Sequence, residues 1–345
     1  MTPEQKEQIR VVSNIFIPTL SLQKMLEKMK RIREVAAINE YETSPSCMFV
    51  TGETGVGKTT FIKQYLKNHT RYDIENEEGG KTIVPVLFCS LPKSKQPKHI
   101  VEQLLVQLGD ELRGKGDEVP ELTNRLVDQC KKLKVELIII DEFQHAIDSD
   151  SDDIFEKIGE WFKIFIDAAN IPIVFLGVPW AQPIIDINAQ LRRRIRNRKY
   201  KMENYTLETF EAFQMFLQRV ESELPLKPYE SLWPVEMAFR LFVVSQGNLS
   251  ELMEGVIIPA CIEAIYDRSE VITKDHFIEA IESNTDWMED NNPLSISLDK
   301  VEGLQQATES YWDDKAISPE DRVIKPTYAK VKFSDLNLQN VMSKR

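Results

Sequence analysis

The stretch Gly52-Glu53-Thr54-Gly55-Val56-Gly57-Lys58-Thr59 has the form G-x-x-x-x-G-K-T and follows the apolar run Cys47-Met48-Phe49-Val50. Its glycines can turn the backbone tightly and aim amide N–H groups inward. A helix beginning near Lys58 adds the positive end of its dipole at the same point. Such a cradle suits a triphosphate, with Lys58 reaching the β- and γ-phosphates as a point charge and Thr59 giving its hydroxyl to Mg2+. Gly52 through Gly57, Lys58, Thr59 and Thr60 are therefore the expected nucleotide contacts. A helix-like run, Phe61, Ile62, Tyr65 and Leu66, follows as the motif requires.

A second chemical signal closes Val135-Glu136-Leu137-Ile138-Ile139-Ile140-Asp141-Glu142. Consecutive apolar residues predict a buried strand, and open α/β sheets bind ligands at the carboxyl ends of their strands. There Asp141 is expected to hold Mg2+ through its water shell, and Glu142 to orient and partly deprotonate an attacking water. A small-molecule kinase has less need of that carboxylate, so the pair favours hydrolysis over transfer. A third signal is Gln190-Leu191-Arg192-Arg193-Arg194-Ile195. A cationic helix end after the core strands can stabilise transition-state charge on a neighbouring subunit's γ-phosphate. The same arginines could instead bind nucleic-acid phosphates or keep the surface soluble.

The elements that must position these residues are legible in the periodicity. Apolar residues at Leu22, Met25, Leu26, Met29, Ile32 and Ala36 predict an amphipathic helix, preceded by the apolar segment Asn14 to Pro18 that packs on the core or covers a base. Beyond the acidic turn at Glu75 to Gly80, strand-like runs at Thr82 to Cys89, Leu137 to Ile140 and Ile171 to Leu176 alternate with helical ones. That alternation predicts a doubly wound parallel sheet. After Tyr205 helices take over, including one divided or kinked at Pro259 and one capped by Thr273. The expected organisation is an N-terminal segment and helix (1–40), an α/β nucleotide-binding core (41–203), a small all-helical lid (204–284) and a flexible, partner-binding tail (285–345). Within the tail, Tyr328 to Phe333 alternates like a short strand.

The 345 residues, 42% of them hydrophobic, suffice for a substantial core. No apolar run approaches the ~18 residues of a membrane span, and scattered cysteines and histidines exclude a zinc or disulfide framework. The expected setting is cytoplasmic, without a membrane. A net charge of −12 argues against a protein that coats nucleic acid with its whole surface, yet local basic stretches stand out. They are Lys24 to Arg33, Lys93-Lys95-Lys98 and Arg192 to Lys201, opposed by acidic runs at Asp148 to Asp153 and Asp286 to Asp314.

Together, Gly52 to Thr59, Leu137 to Glu142, the Gly177-Val178-Pro179 turn, Gln190 to Ile195 and the helical lid resemble the AAA+ ATPases of the TniB/TnsC family, over about Ile15 to Ser283. The resemblance implies a P-loop NTPase of AAA+ type in a bacterial, DNA-associated setting, using ATP and Mg2+. It implies a homo-oligomer, ring or filament, on double-stranded DNA that regulates transposition by bridging a target-selection protein to the transposase. Lys58, Thr59, Asp141 and Glu142 match its motifs, and Arg194 resembles its trans-acting finger, with Arg193 as reserve. Two positions depart from the wider AAA+ pattern. Val178 and Pro179 stand where a polar residue usually follows the fourth core strand, and in Gly247-Asn248-Leu249-Ser250 a serine replaces the sensor arginine. Slow hydrolysis is the expectation. Lys93, Lys95 and Lys98 are the first candidates for DNA-phosphate contacts, and Lys24, Lys28 and Arg31 the second. The alternatives are a nucleotide-gated scaffold with incidental hydrolysis and an initiator or helicase-loader ATPase.

Overall fold

The computed structural model describes residues 1–76, 79–93, 96–146, 152–187, 189–195, 199–316, 318 and 321–336. Lys95 and residues 148–151 of the acidic run lie outside them. The chain opens with helices α1 (Pro3–Ser13) and α2 (Leu20–Ile38), then enters the central sheet at β1 (Met48–Gly52) and passes through α3 (Lys58–Lys67). A separate hairpin, β2 (Tyr72–Asn76) and β3 (Gly79–Ile83), precedes β4 (Val86–Ser90). Helices α4 (Pro97–Leu108) and α5 (Val119–Lys132) lead to β5 (Leu137–Asp141), and α6 (Asp152–Ala169) to β6 (Ile173–Gly177). Then α7 (Gln182–Ile187) and α8 (Ala189–Ile195) lead to β7 (Lys199–Met202).

The five sheet strands run in the order β4-β5-β6-β1-β7, all parallel. Alternation along each strand feeds two hydrophobic layers. Phe49, Ile138, Ile140 and Phe175 pack under α4 to α6, whereas Met48, Val50, Ile139 and Val174 pack under α2 and α3. Burial on both faces accounts for the unbroken apolar runs of β5 and β6. The run Thr82 to Cys89, expected as one strand, is divided at Pro85. Proline has no N–H to donate to a ladder, and its carbonyl instead accepts from the Glu136 N–H at 2.9 Å.

The lid follows as α9 (Phe210–Glu223), α10 (Val235–Ser245), α11 (Leu249–Leu252), α12 (Ile258–Tyr266) and α13 (Lys274–Asn284). Pro259 divides the third helix as expected. The accommodation is a π-helical turn over Met253–Ile257, the widened turn that spares a helix a clash with a proline ring. Thr273 caps α13, its side chain accepting from the His276 N–H. Helix α1 belongs to the lid layer. Val12 is buried there, and Gln5 Nε2 donates to Ile265 O at 2.8 Å.

As far as residue 336, the flexible tail expected beyond residue 285 is corrected by the structure; residues 337–345 lie outside the described residues. Strands Glu302–Gln306 and Tyr328–Lys332 pair antiparallel, and Leu294, Val301, Val331 and Leu336 are buried in the lid core. Gly303 lies so close to Val243 that a Cβ would stand 2.8 Å from its methyl groups, so glycine is what lets the strand dock. Among the described residues, no helix is long and apolar enough to cross a membrane.

Candidate nucleotide-binding site

The chain leaves β1 through Gly55 and Gly57, both with positive φ (79° and 96°), and enters α3 at Lys58. Gly57 occupies the N-cap position without any side-chain cap, so the first amides of α3 have no local acceptor. Backbone donors of that kind at a helix N-terminus fit a phosphate group. Lys58 is buried, and its Nζ donates to Gly52 O at 2.6 Å and Glu53 O at 2.9 Å. Burial lowers its pKa, opposed by Asp141, Glu142 and Glu53.

In the sheet β6 separates β1 from β5, and the carboxyl ends of the two outer strands meet across it. Thr59 Oγ1 donates to Asp141 Oδ2 at 3.4 Å, so hydroxyl and carboxylate face one another as a Mg2+ site requires. When bound, that ion neutralises charge on the β- and γ-phosphates. Burial raises the Asp141 carboxyl above its ordinary 3.8, against the Glu142 amide it accepts from and the Lys58 charge. A carboxyl that binds its proton more tightly when folded stabilises the protein only below its ordinary pKa, and that contribution is lost as pH rises through the folded value. Near neutrality the ionised Asp141 is therefore a cost. We expect Asp141→Asn to melt about 2 °C above the native protein in nucleotide- and Mg2+-free buffer, while abolishing stabilisation by Mg2+ with ATP. Calorimetry with and without the ion checks both; equal or lower melting of the metal-free variant would contradict the assignment.

Glu142 sits at φ 55°, a left-handed turn that ends β5 and directs the next residues back toward the cleft. Gln144 Nε2 donates to the Glu142 carboxylate, and Gln144 Oε1 accepts from the Val178 N–H at 3.3 Å. The polar group missing after β6 in the sequence is thus supplied from the turn after β5. Gly177 leaves room for it, since a Cβ there would lie 3.2 Å from Gln144 Oε1. His145 Nε2 lies 3.8 Å from Glu142 Oε2, and its Nδ1 is 2.9 Å from Leu91 O. Gln144 and His145 escaped the sequence reading, although both stand within three residues of Glu142.

The lid closes directly on the phosphate loop. Asn248 Nδ2 donates to Thr54 O at 3.0 Å, and the Ser250 N–H donates to Gly55 O at 3.0 Å. Ser250 Oγ donates to Glu254 Oε2 at 3.0 Å. Between core and lid lies a cleft of about 470 Å³. Ile15, Phe16 and Ile17 line it opposite Leu249, Met253 and Ile258, an apolar slot with room for a base. Ile15 and Ile17 also pack against the lid core, so the N-terminal segment both packs and faces the cleft.

Arg194 lies at the other end of the sheet. Its carbonyl accepts from the Cys47 N–H at 3.3 Å, ahead of β1, whereas the phosphate loop follows β1. A five-residue strand spans ~17 Å, so Arg194 cannot serve its own loop. Its guanidinium is held by Ser44 and Asp167, and the exposed Arg193 lines the same groove. The basic stretches do not converge. Lys93 is exposed just after β4, and Lys98 pairs with Glu102 at 4.0 Å. Lys24 and Lys28 project from α2, which packs beside β7 at the opposite sheet edge.

A five-stranded parallel sheet with a phosphate loop, an acidic pair and a helical lid defines an AAA+ P-loop ATPase. The chain is similar in structure to the Aeropyrum pernix ORC2 protein (TM-score 0.56, 17% identity, covering 84% of this chain and 75% of that one). It is likewise similar to Cdc6p from Pyrobaculum aerophilum (TM-score 0.51, 11% identity, 79% and 70% covered). In sequence it is 26% identical over 133 residues to an ORC1-type DNA replication protein 1 of Sulfurisphaera tokodaii, covering 38% of this chain and 32% of that protein. The alignment thus spans about a third of that relative. Residues 9–204 match the family described as bacterial TniB protein, and the chain belongs to that family.

Proposed function

We propose that the protein is an ATP-dependent, DNA-binding AAA+ oligomer that regulates transposition, bridging a target-selection protein to the transposase, with hydrolysis controlling assembly and disassembly. The observation that carries the ATPase reading is that Lys58, Thr59 and Glu142 line one cleft, with the buried Asp141 hydrogen-bonded to Thr59 behind it. Lys58 binds the β- and γ-phosphates, Thr59 and Asp141 hold Mg2+, and Glu142 accepts a proton from the attacking water while Gln144 fixes its orientation. Arg194, or Arg193 beside it, reaches a neighbour's γ-phosphate; its position at the far end of β1 from its own loop supports a role in trans. Membership of the TniB family supports the transposition role.

Imaging the protein with duplex DNA, with and without a non-hydrolysable ATP analogue, tests the proposal. Rings or filaments on DNA that depend on the analogue are expected, and DNA complexes indifferent to nucleotide would refute it. The same assay locates the DNA surface. Lys93 and Lys28 lie by opposite edges of a five-stranded sheet, ~19 Å apart by strand spacing alone, so one duplex track need not use both. Lys93→Glu should weaken binding and lower the slope of log affinity against log salt by about 1, with Lys28→Glu leaving it unchanged. The reverse pattern would transfer the contact to α2.

One observation favours the scaffold reading. Among the described residues lining the cleft, the cations are Lys58 and Lys63, both on α3, and the lid contributes the Ser250–Glu254 pair instead of an arginine. That composition supports turnover slow enough to be incidental to assembly.

A further inference from the structure

The phosphate loop contains an acid. Glu53 follows Gly52 directly, its charge acts on Lys58, and a free carboxylate there would compete with a triphosphate for Lys58 and for the loop amides. In the structure it is engaged from 257 residues away. The Ser310 N–H donates to Glu53 Oε1 at 2.7 Å and Ser310 Oγ donates to the same oxygen at 2.8 Å. Ser310 is itself buried, at 4% exposure, although it sits in a connection between two strands.

The segment carrying Ser310 is fastened at both ends. On the lid side, Gln305 Oε1 accepts from the Leu207 N–H at 2.9 Å and Gly303 docks on Val243. On the core side, Glu309 pairs with Lys201 at 3.0 Å, and Trp312 stacks on Trp180 with ring centroids 6.3 Å apart. Two short donors on one carboxylate oxygen, presented by an anchored backbone, constitute a built receptor for Glu53.

We propose that Ser310 is a positioning residue of the nucleotide site, which holds the Glu53 carboxylate away from the phosphate cradle and so leaves Lys58 and the loop amides available to ATP. The inference rests on the nucleotide-site reading above. Without the hydroxyl, one of two charge-assisted bonds is lost and Glu53 is freed to turn toward Lys58. The effect falls on ground-state binding of the triphosphate rather than on Glu142 chemistry.

The test is a double-mutant cycle on the full chain, with a fluorescent ATP analogue for Kd and steady-state hydrolysis for KM and kcat. Ser310→Ala should raise Kd and KM about five- to tenfold, with kcat within about twofold of native. Glu53→Gln supplies the background for the cycle, whatever its own Kd, because it keeps the loop backbone and removes the carboxylate. The double variant should match Glu53→Gln, because the carboxylate through which Ser310 acts is gone. A Ser310→Thr variant, which retains the hydroxyl, should recover native Kd. The inference is overturned if Ser310→Ala binds as the native protein does. It is equally overturned if the double variant stays as weak as Ser310→Ala, the sign of a merely structural strap. Failure of the nucleotide-site reading looks different, since native protein and Lys58→Ala would then bind the analogue alike.

Discussion

A Glu142→Gln variant is expected to bind ATP with native affinity and to hydrolyse it at least about a hundredfold more slowly, the lower end of what a positioned general base contributes. The amide keeps the shape and can still accept from Gln144, so the cleft and its lid contacts persist. What disappears is the carboxylate that, among the described residues, lines the cleft from the turn after β5. Because the variant retains nucleotide, its oligomers should outlive native ones on DNA, measured as the dissociation half-time after dilution into competitor DNA. Slow hydrolysis with an unchanged half-time would separate turnover from disassembly and leave the scaffold reading in possession. Native turnover would remove Glu142 from the chemistry altogether.

Arg194→Ala should have a comparable or larger effect, because a cation supplied in trans to a transferring phosphoryl group is worth about a thousandfold or more in rate. Its signature differs from that of Glu142→Gln. Isolated subunits should bind ATP normally, since Arg194 stands at the opposite end of β1 from their own loop. Hydrolysis should be lost, and it should return in part when the variant is mixed with Lys58→Ala subunits, which contribute an intact arginine to the variant's site. The side chain is already engaged with Ser44 and Asp167, so assembly must exchange those partners for phosphate. If Arg193→Ala abolishes hydrolysis and Arg194→Ala does not, the two roles are reversed, and Arg194 is an anchor of α8 through Asp167.

The site was legible in the sequence to the extent that it is made by backbone. A phosphate loop is specified by glycines and by the helix that follows, and the Asp141-Glu142 pair by a strand too apolar to be anything but buried. Contacts between side chains distant in sequence left no such trace. Ser310 on Glu53 and Asn248 on Thr54 join segments with nothing periodic about them. Strand β7 was missed for a related reason. It is an edge strand, Lys-Tyr-Lys-Met, with only Met202 buried, so its composition reads as charged surface although its register with β1 is complete. Helix α1 buries Val12 alone, too little to mark a face. The tail read as flexible because acids and prolines dominate it, yet a few apolar anchors at 294, 301, 331 and 336 fasten its described residues to a lid already rich in phenylalanine. Gln144 is the exception that could have been found, since a polar residue two positions beyond Glu142 was there to fill the gap left by Val178.

Strand β7 carries a consequence beyond its place at the sheet edge. It begins four residues after Arg194 ends its helix turn at Ile195, and it finishes at Met202, where the lid connection starts and where Gly52 is its partner in register. The approach at that end is tight: a Cβ on Gly52 would stand 2.7 Å from Met202 O. Its four residues span ~13 Å and are zipped to the strand that bears the phosphate loop. If Arg194 acts in trans as proposed, its guanidinium and the lid would therefore be mounted at the two ends of one short rod. In the proposed oligomer, displacement along its axis would be shared by both, and each subunit would be a relay as well as a site.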